Sequence, residues 1–333
     1  MADSDHASPV AGEGWRPNAS IETLRSRAEF LHKIREFFHR RQVMEVETPM
    51  LSVAGNTSPH IVSFSSQYQG PGENNGRTCY LHTSPEFPMK RLLAAGSGAI
   101  YQLCKVFRNG ELGGRHNPEF TMLEWYRPGW QYQSLMDEVA DLLAWLCDQP
   151  LVERFTYAEL FQQYLSLDVH LADALRLQAE AVRHGLDVAD WPLDDVDIWR
   201  DLLMSHLIEP ALGQDRPVFV YDYPASQAAL AQVRREATPV AERFELYWRG
   251  VELANGYQEL LDANVLAERM DEENAMRQRL GLPSVARDER LLAAQRSGLP
   301  LCSGVALGVD RLFMLQQALS EVSQGLSFSF SRA

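Results

Sequence analysis

The sequence predicts an α+β protein built on a long antiparallel sheet, and three observations carry that expectation. Two alternating apolar runs, "AIYQLCKVFR" (99–108) and "EFTMLEWY" (119–126), flank a polar, glycine-bearing loop, as a hairpin requires. A second pair of runs lies in "RFELYWRGVELANGYQEL" (243–260), where Arg249-Gly250 fits a two-residue turn. Helical periodicity is concentrated in residues 20–41 and 134–212 rather than alternating with every strand, which argues against a βαβ fold.

The elements follow in order. Residues 1–19, small and polar at the start, are expected to be a disordered leader, and 20–333 to form the folded part of the chain. Ser20 is a natural N-cap for a helix reaching Arg41, with Ile21, Leu24, Ala28, Leu31, Ile34 and Phe38 at three- and four-residue spacing. "VMEVETPML" (43–51) reads as a short strand broken at Pro49, and "QGPGENNGR" (69–77) as a loop between two strands. "EFPMKRLLAAG" (86–96) reads as a helix closed by Gly96. Residues 134–212 look like a helical insertion, "PVFVYDYP" (217–224) like a returning strand, and "CSGVALGVDRLFMLQQAL" (302–319) like a glycine-spaced turn into a helix. No internal repeat is visible.

Composition removes several function classes. The 333 residues are 45% hydrophobic and 23% charged, as in an ordinary globular protein. No apolar run approaches the ~20 residues that span a bilayer, and the N-terminus has no export signal, so no membrane partner and a cytoplasmic location are expected. The four cysteines are far apart with no C-x-x-C pair, which argues for reduced thiols and against structural zinc; Cys104 and Cys147 read as core residues. The net charge of −14 argues against stable nucleic-acid binding and favours cationic partners. Gly96-Ser97-Gly98 precedes a strand instead of following one, and no P-loop motif exists, so nucleotide binding must use another device.

Two stretches point to chemistry. In "FRNGELGGRHNPEFTMLEWYRPG" (107–129) the loop after Arg108 is either a plain surface hairpin or a wrap around an anion. Glu245, Glu252 and Glu259 recur every seven residues. If Arg249-Gly250 is the turn, Tyr247 faces Glu252, and Glu245 projects from the same face as a diagonal neighbour. That pair suits Mg²⁺, or it is a solvated sheet face with chance spacing. Glu259 points to the opposite face unless a bulge intervenes, for which Asn255-Gly256 is the natural place.

"VETPML", "FRNGELGGRHNPEFTMLEWY" and "SGVALGVDRLFML" resemble the three motifs of class II aminoacyl-tRNA synthetases in the lysyl subgroup. With "TSPEFPMKRLL" and "VELANGYQEL" the resemblance is closer still to the elongation factor P β-lysine ligases, and it covers the chain after about residue 20. It implies a class II fold, a homodimer, and an ATP- and Mg²⁺-dependent enzyme that adenylates (R)-β-lysine, or lysine, and passes it to a lysine of elongation factor P. With motif 1 inside the first fifty residues, a catalytic domain at 20–333 without an anticodon-binding domain is expected.

The resemblance also implies roles. Arg108 would sit on the α-phosphate and the attacking carboxylate, His116 on the nucleotide, Asn117 at the border of the adenine, and Phe120 against one adenine face. Arg311 would cover the other face with Gly308 beneath, and Asn109, Gly110 and Leu253 complete the ATP set. Glu245 and Glu252 match metal ligands. Ser84, Pro85 and Glu86 would read the reacting end of the amino acid, and Tyr126 and Glu259 its distal ammonium. Ala306 replaces the glycine usual in lysyl synthetases, placing a methyl beside the amino-acid pocket. Motif 2 usually reads Arg-x-Glu, whereas Gly110 stands third here and Glu111 follows. Either Glu111 reaches the adenine amine by a shifted backbone or a backbone carbonyl serves. Two other readings stand beside the ligase: a minimal lysyl-tRNA synthetase, and a catalytically silent regulatory paralogue.

Overall fold

The structure is a computed structural model that describes residues 15–71, 76–149, 151–188, 191, 193 and 195–333. Most of the expected leader and part of the loop at 69–77 lie outside these residues. Helix α1 (Ile21–Arg40) starts where expected, with Ser20 Oγ accepting from the Thr23 amide. Its buried stripe is Phe30, Ile34, Phe37 and Phe38. Ile21 and Ala28, expected to be apolar anchors, are exposed instead.

The elements then run β1 (Met44–Glu45), β2 (Leu51–Ser52), β3 (Ser65–Tyr68), β4 (Arg77–Leu81), α2 (Glu86–Ala94), β5 (Ile100–Phe107), β6 (Glu119–Pro128), α3 (Tyr132–Cys147) and β7 (Glu153–Thr156). After these come α4 (Tyr157–Leu165), α5 (Ala174–Arg183), α6 (Val196–Leu203), β8 (Val218–Pro224), β9 (Val233–Arg234), β10 (Val240–Trp248) and β11 (Val251–Gln258). The chain ends with α7 (Ala263–Arg279), α8 (Glu289–Gly298), β12 (Cys302–Gly308) and α9 (Val309–Gln316), followed by short 3₁₀ turns.

Among the described residues the main sheet has nine strands in the order β1-β5-β6-β12-β11-β10-β8-β7, with β9 on β10, and β2-β4-β3 form a second small sheet. The centre is antiparallel as expected, but the flanking pairs β1/β5 and β7/β8 are parallel. Two stretches differ from expectation. Residues 302–308, read as a turn because of their glycines, are a central strand between β6 and β11. The stretch 134–212 is not uniformly helical: α3 packs in the main core, and β7 then adds a strand to the sheet edge before α4.

Side-chain alternation sorts the sheet into two faces. One face, with Leu123, Trp125, Phe244, Leu246, Leu253 and Leu307, packs under α1, α3 and α9. The other carries Glu124, Tyr126, Arg243, Glu245 and Asn255, so the polar residues of three strands, β6, β10 and β11, are gathered over one surface. Helices α4–α6 form a separate apolar cluster against β8 and β10. The four cysteines are free thiols: Cys79, Cys104 and Cys302 are buried, and Cys147 is partly so. Among the described residues no helix is long and apolar enough to cross a membrane.

Candidate active site

The polar face of the sheet floors a cavity of about 330 Å³ with ends of opposite charge. Arg108, Arg115, His116 and Arg311 line one end. Arg108 leaves the end of β5 with its guanidinium 5.2 Å over the Phe120 ring and 3.6 Å from Glu111. Its Nε is buried with no hydrogen-bond partner among the described residues. Such an orphaned donor in a cationic cavity suits a bound anion. Arg311, in the first turn of α9, donates from Nε to the Arg115 carbonyl and from Nη1 to the Glu252 carbonyl, both at 3.1 Å. Its Nη2 lies 2.6 Å from His116 Nε2. A guanidinium has no acceptor, so His116 accepts on Nε2 and carries its proton on Nδ1. Burial and the adjacent Arg311 lower the His116 pKa, which keeps the ring neutral. Arg311 thereby ties the 108–118 loop to β11.

At the other end four ionisable groups are packed together. Lys90, on the inner face of α2, donates to Glu86 Oε1 and lies 2.5 Å from Glu259 Oε2. Burial pulls its pKa down, but Glu259 and Glu86 outweigh that and hold the ammonium charged. Glu124 accepts from Ser84 Oγ and Tyr126 OH, each at 2.6 Å. Burial and then Glu86 push Glu124 up to about 8. Burial likewise holds Glu259 up to about 7 against the opposing pull of Lys90. Gly304 is required here: a Cβ at that position would collide with the Tyr126 ring and the Glu259 carboxylate.

The three spaced glutamates do reach one face, by way of a bulge. Arg249 and Gly250 both have positive φ, 50° and 66°, and form the two-residue turn. Tyr247 pairs with Glu252 as expected, but the next register pair is Leu246 with Ala254. The extra residue on β11 therefore falls at Leu253-Ala254 rather than at Asn255-Gly256. It reverses the alternation, so Asn255, Tyr257 and Glu259 line the cavity with Glu252.

Glu245 is saturated by protein donors. Arg243 and Asn255 donate to its Oε1, and Tyr223 and Tyr247 donate to Oε2 at 2.6 Å each. Glu252 differs: its nearest side-chain partner is Arg311 at 3.8 Å, and 42% of the side chain is open. Although the side chain is partly open, its recessed place among the cavity walls and then the Glu245 carboxylate raise its pKa. A cation is the group that such a carboxylate lacks. Glu252 fits a Mg²⁺ that takes its remaining ligands from phosphate and water. Glu245 fits less directly, since ligation requires exchange of a hydrogen bond it already makes. Among the described residues no three His, Cys, Asp or Glu side chains form a ready-made metal cage.

Of the residues singled out from sequence, Ser84, Glu86, Arg108, His116, Asn117, Phe120, Tyr126, Glu245, Glu252, Leu253, Glu259, Ala306, Gly308 and Arg311 line this one cavity, as does Glu111. Pro85, Asn109 and Gly110 do not. Pro85 caps α2, and Asn109 and Gly110 are exposed on the loop, where Asn109 donates from its amide to Val62. Sequence reasoning missed Lys90, Glu124 and Arg243. Glu124 has a visible signal, a lone carboxylate inside the apolar run "TMLEWY"; Lys90 has none, because a lysine on a short helix ordinarily faces water.

The fold and the two-ended cavity are those of a class II synthetase catalytic core, and residues 14–332 match the family described as tRNA synthetases class II (D, K and N). Several curated relatives are similar over nearly their whole length. The elongation factor P–(R)-β-lysine ligase of Pseudoalteromonas translucida is 50% identical over 321 residues, covering 96% of this chain and 98% of that protein. Those of Avibacterium paragallinarum and Pasteurella multocida are 48% and 47% identical, again over 96% of this chain and over 98% and 99% of the relatives. The chain belongs to the elongation factor P–(R)-β-lysine ligase family of class II synthetases.

Proposed function

We propose that this protein is an ATP-dependent ligase that adenylates (R)-β-lysine and transfers it to a lysine ε-amine of elongation factor P. The observation that carries the reading is the opposition of charge within one cavity, with Arg108 and Arg311 at one end and Glu86, Glu124 and Glu259 at the other. A diamino acid bound with its ammonium groups among the carboxylates has its own carboxylate directed to Arg108. ATP lies along the cationic end, with its adenine between Phe120 and Arg311 and its edge at Asn117.

Adenylation brings two anions together, so the site works by fixed positive charge and positioning. Arg108 holds the attacking carboxylate and the α-phosphate in line. Neutral His116 and the Arg311 guanidinium hold the nucleotide while pyrophosphate leaves. Glu252 would hold a Mg²⁺, with Glu245 as second ligand once it exchanges a hydrogen bond, and the ion would supply positive charge to the phosphates. Glu245 also fixes Arg243 beside the cavity.

ATP–pyrophosphate exchange tests the first half-reaction. Exchange is expected with (R)-β-lysine and more weakly with lysine, because Ala306 adds a methyl between Glu124 and Asn255 in the cross-sheet row. Absence of exchange with both isomers contradicts the reading and favours a silent paralogue.

The active form is expected to be a two-fold homodimer. Met44 and Met50, 49% and 42% exposed along the segment after α1, supply apolar surface suited to an isologous interface. Sedimentation at micromolar concentration should give the dimer mass, and a fully active monomer would count against it.

A further inference from the structure

A second cavity, of about 290 Å³, adjoins the first, and apart from the shared Ser84 and Glu86 its walls hold none of the residues placed on ATP or the amino acid. Its walls come from β2 and the segment 53–63 on one side and from α2, α7 and the start of α8 on the other. Asn56, Ile61, Thr83, Ser84, Glu86 and Tyr257 line both cavities, so the two meet at the carboxylate end. None of Arg108, His116, Phe120 or Arg311 lines the second. An acyl-adenylate filling the first cavity blocks the approach along the nucleotide, whereas the 53–63 wall of the second reaches the Arg108 side as well, because Val62, next to the shared Ile61, is bridged to Asn109 beside Arg108.

We propose that the second cavity receives the acceptor lysine side chain, an assignment that rests on the ligase reading above. Its chemistry suits that occupant. Val53, Phe87 and Met270 offer apolar surface to a four-carbon stem, and Glu86 and Glu273 offer carboxylates to the ammonium on its way in. Glu273 is held by a hydrogen bond from Thr57 Oγ1, on the segment that forms the opposite wall. Arg91 and Arg290 are exposed at the mouth, where they meet acidic side chains or backbone carbonyls flanking the lysine.

In the transfer step the ammonium first releases one proton to water. Its nitrogen lone pair then attacks the acyl carbon, and the N–C bond forms. The bond from that carbon to the AMP phosphate oxygen breaks, AMP departs with the electron pair, and the second proton is lost from the nitrogen to solvent. The amide and AMP leave by opposite routes.

Val53→Trp and Arg290→Trp narrow the second cavity from opposite walls without touching the residues placed on ATP or the amino acid. Pyrophosphate exchange should stay within about twofold of wild type in both, while kcat/KM for transfer to elongation factor P should fall at least about tenfold. Val53→Ala, which widens the cavity, should keep transfer at the wild-type level. Unchanged transfer in both tryptophan variants overturns the assignment, as does a parallel loss of exchange, which would mean the obstruction lies in the first cavity. The wild-type protein separates the two levels of the argument. If it exchanges pyrophosphate and never modifies the factor, the ligase reading fails and the channel fails with it. If wild type transfers normally and the variants do too, only the channel fails.

Discussion

Arg108→Ala is expected to lower pyrophosphate exchange by at least about a thousandfold, the scale on which a guanidinium at a transferring phosphoryl group acts. The side chain contributes little that the fold needs. It is a quarter exposed, its carboxylate partner Glu111 is 3.6 Å away, and its Nε has no partner. Loss of the Phe120 contact should cost stability on the order of 1 kcal/mol, as for a partly exposed cation–π pair. Thermal unfolding should therefore shift by a few degrees at most while activity is abolished. Arg108→Lys should recover only part of the rate, because a point charge cannot bridge carboxylate and phosphate as a planar fork does. Exchange within tenfold of wild type in Arg108→Ala would remove the arginine from the reaction.

The apparent KM for (R)-β-lysine should fall steeply between pH 6 and 8. Burial pushes Glu124 up to about 8, so in the empty cavity near pH 6 it retains its proton, while Glu259 stays paired with the Lys90 ammonium. An entering ammonium needs an ionised carboxylate, so binding below that range must expel a proton. The KM is expected to change about tenfold per pH unit where one proton is displaced, and to flatten above about pH 8. Calorimetry in buffers of different ionisation enthalpy should register the released proton. Stability of the empty protein runs the other way. A carboxylate with a raised folded pKa favours the native state below its unfolded pKa of about 4.3, and that advantage is lost as pH rises through the folded value. Glu124→Gln should flatten the profile and raise KM at pH 8 by roughly 10- to 100-fold, the worth of a hydrogen bond to a charged group. A wild-type KM independent of pH from 6 to 8.5 would contradict the assignment of this end of the cavity.

Much of the site was legible because its chemistry sits in continuous motifs. The hairpin bearing Arg108, His116 and Phe120 reads from alternation on both sides of a glycine-rich loop, and the Arg249-Gly250 turn reads from its residue types. The position of the bulge on β11 was not legible. Alternation requires some break before Glu259, but the choice of Leu253-Ala254 goes with burial of both residues in the core, where β11 packs against α3 and α9. Cys302–Gly308 resembled a turn because its glycines suggest freedom. Gly304 is instead a strand residue whose missing side chain makes room for Tyr126 and Glu259 from neighbouring strands. Lys90 was hidden for a similar reason: its partner Glu259 is distant in sequence, and only the fold brings the two within 2.5 Å.

Acceptor choice tests the central claim most directly. Purified protein is given labelled (R)-β-lysine, ATP and Mg²⁺ with either elongation factor P or total tRNA, and label is followed into each. The expected result is stable label on a lysine of the factor, only background on tRNA, and faster transfer as pH rises toward 9, because the attacking amine has an ordinary pKa near about 10.4. Efficient charging of tRNA with the factor left unmodified would contradict the account and identify a lysyl-tRNA synthetase activity in its place.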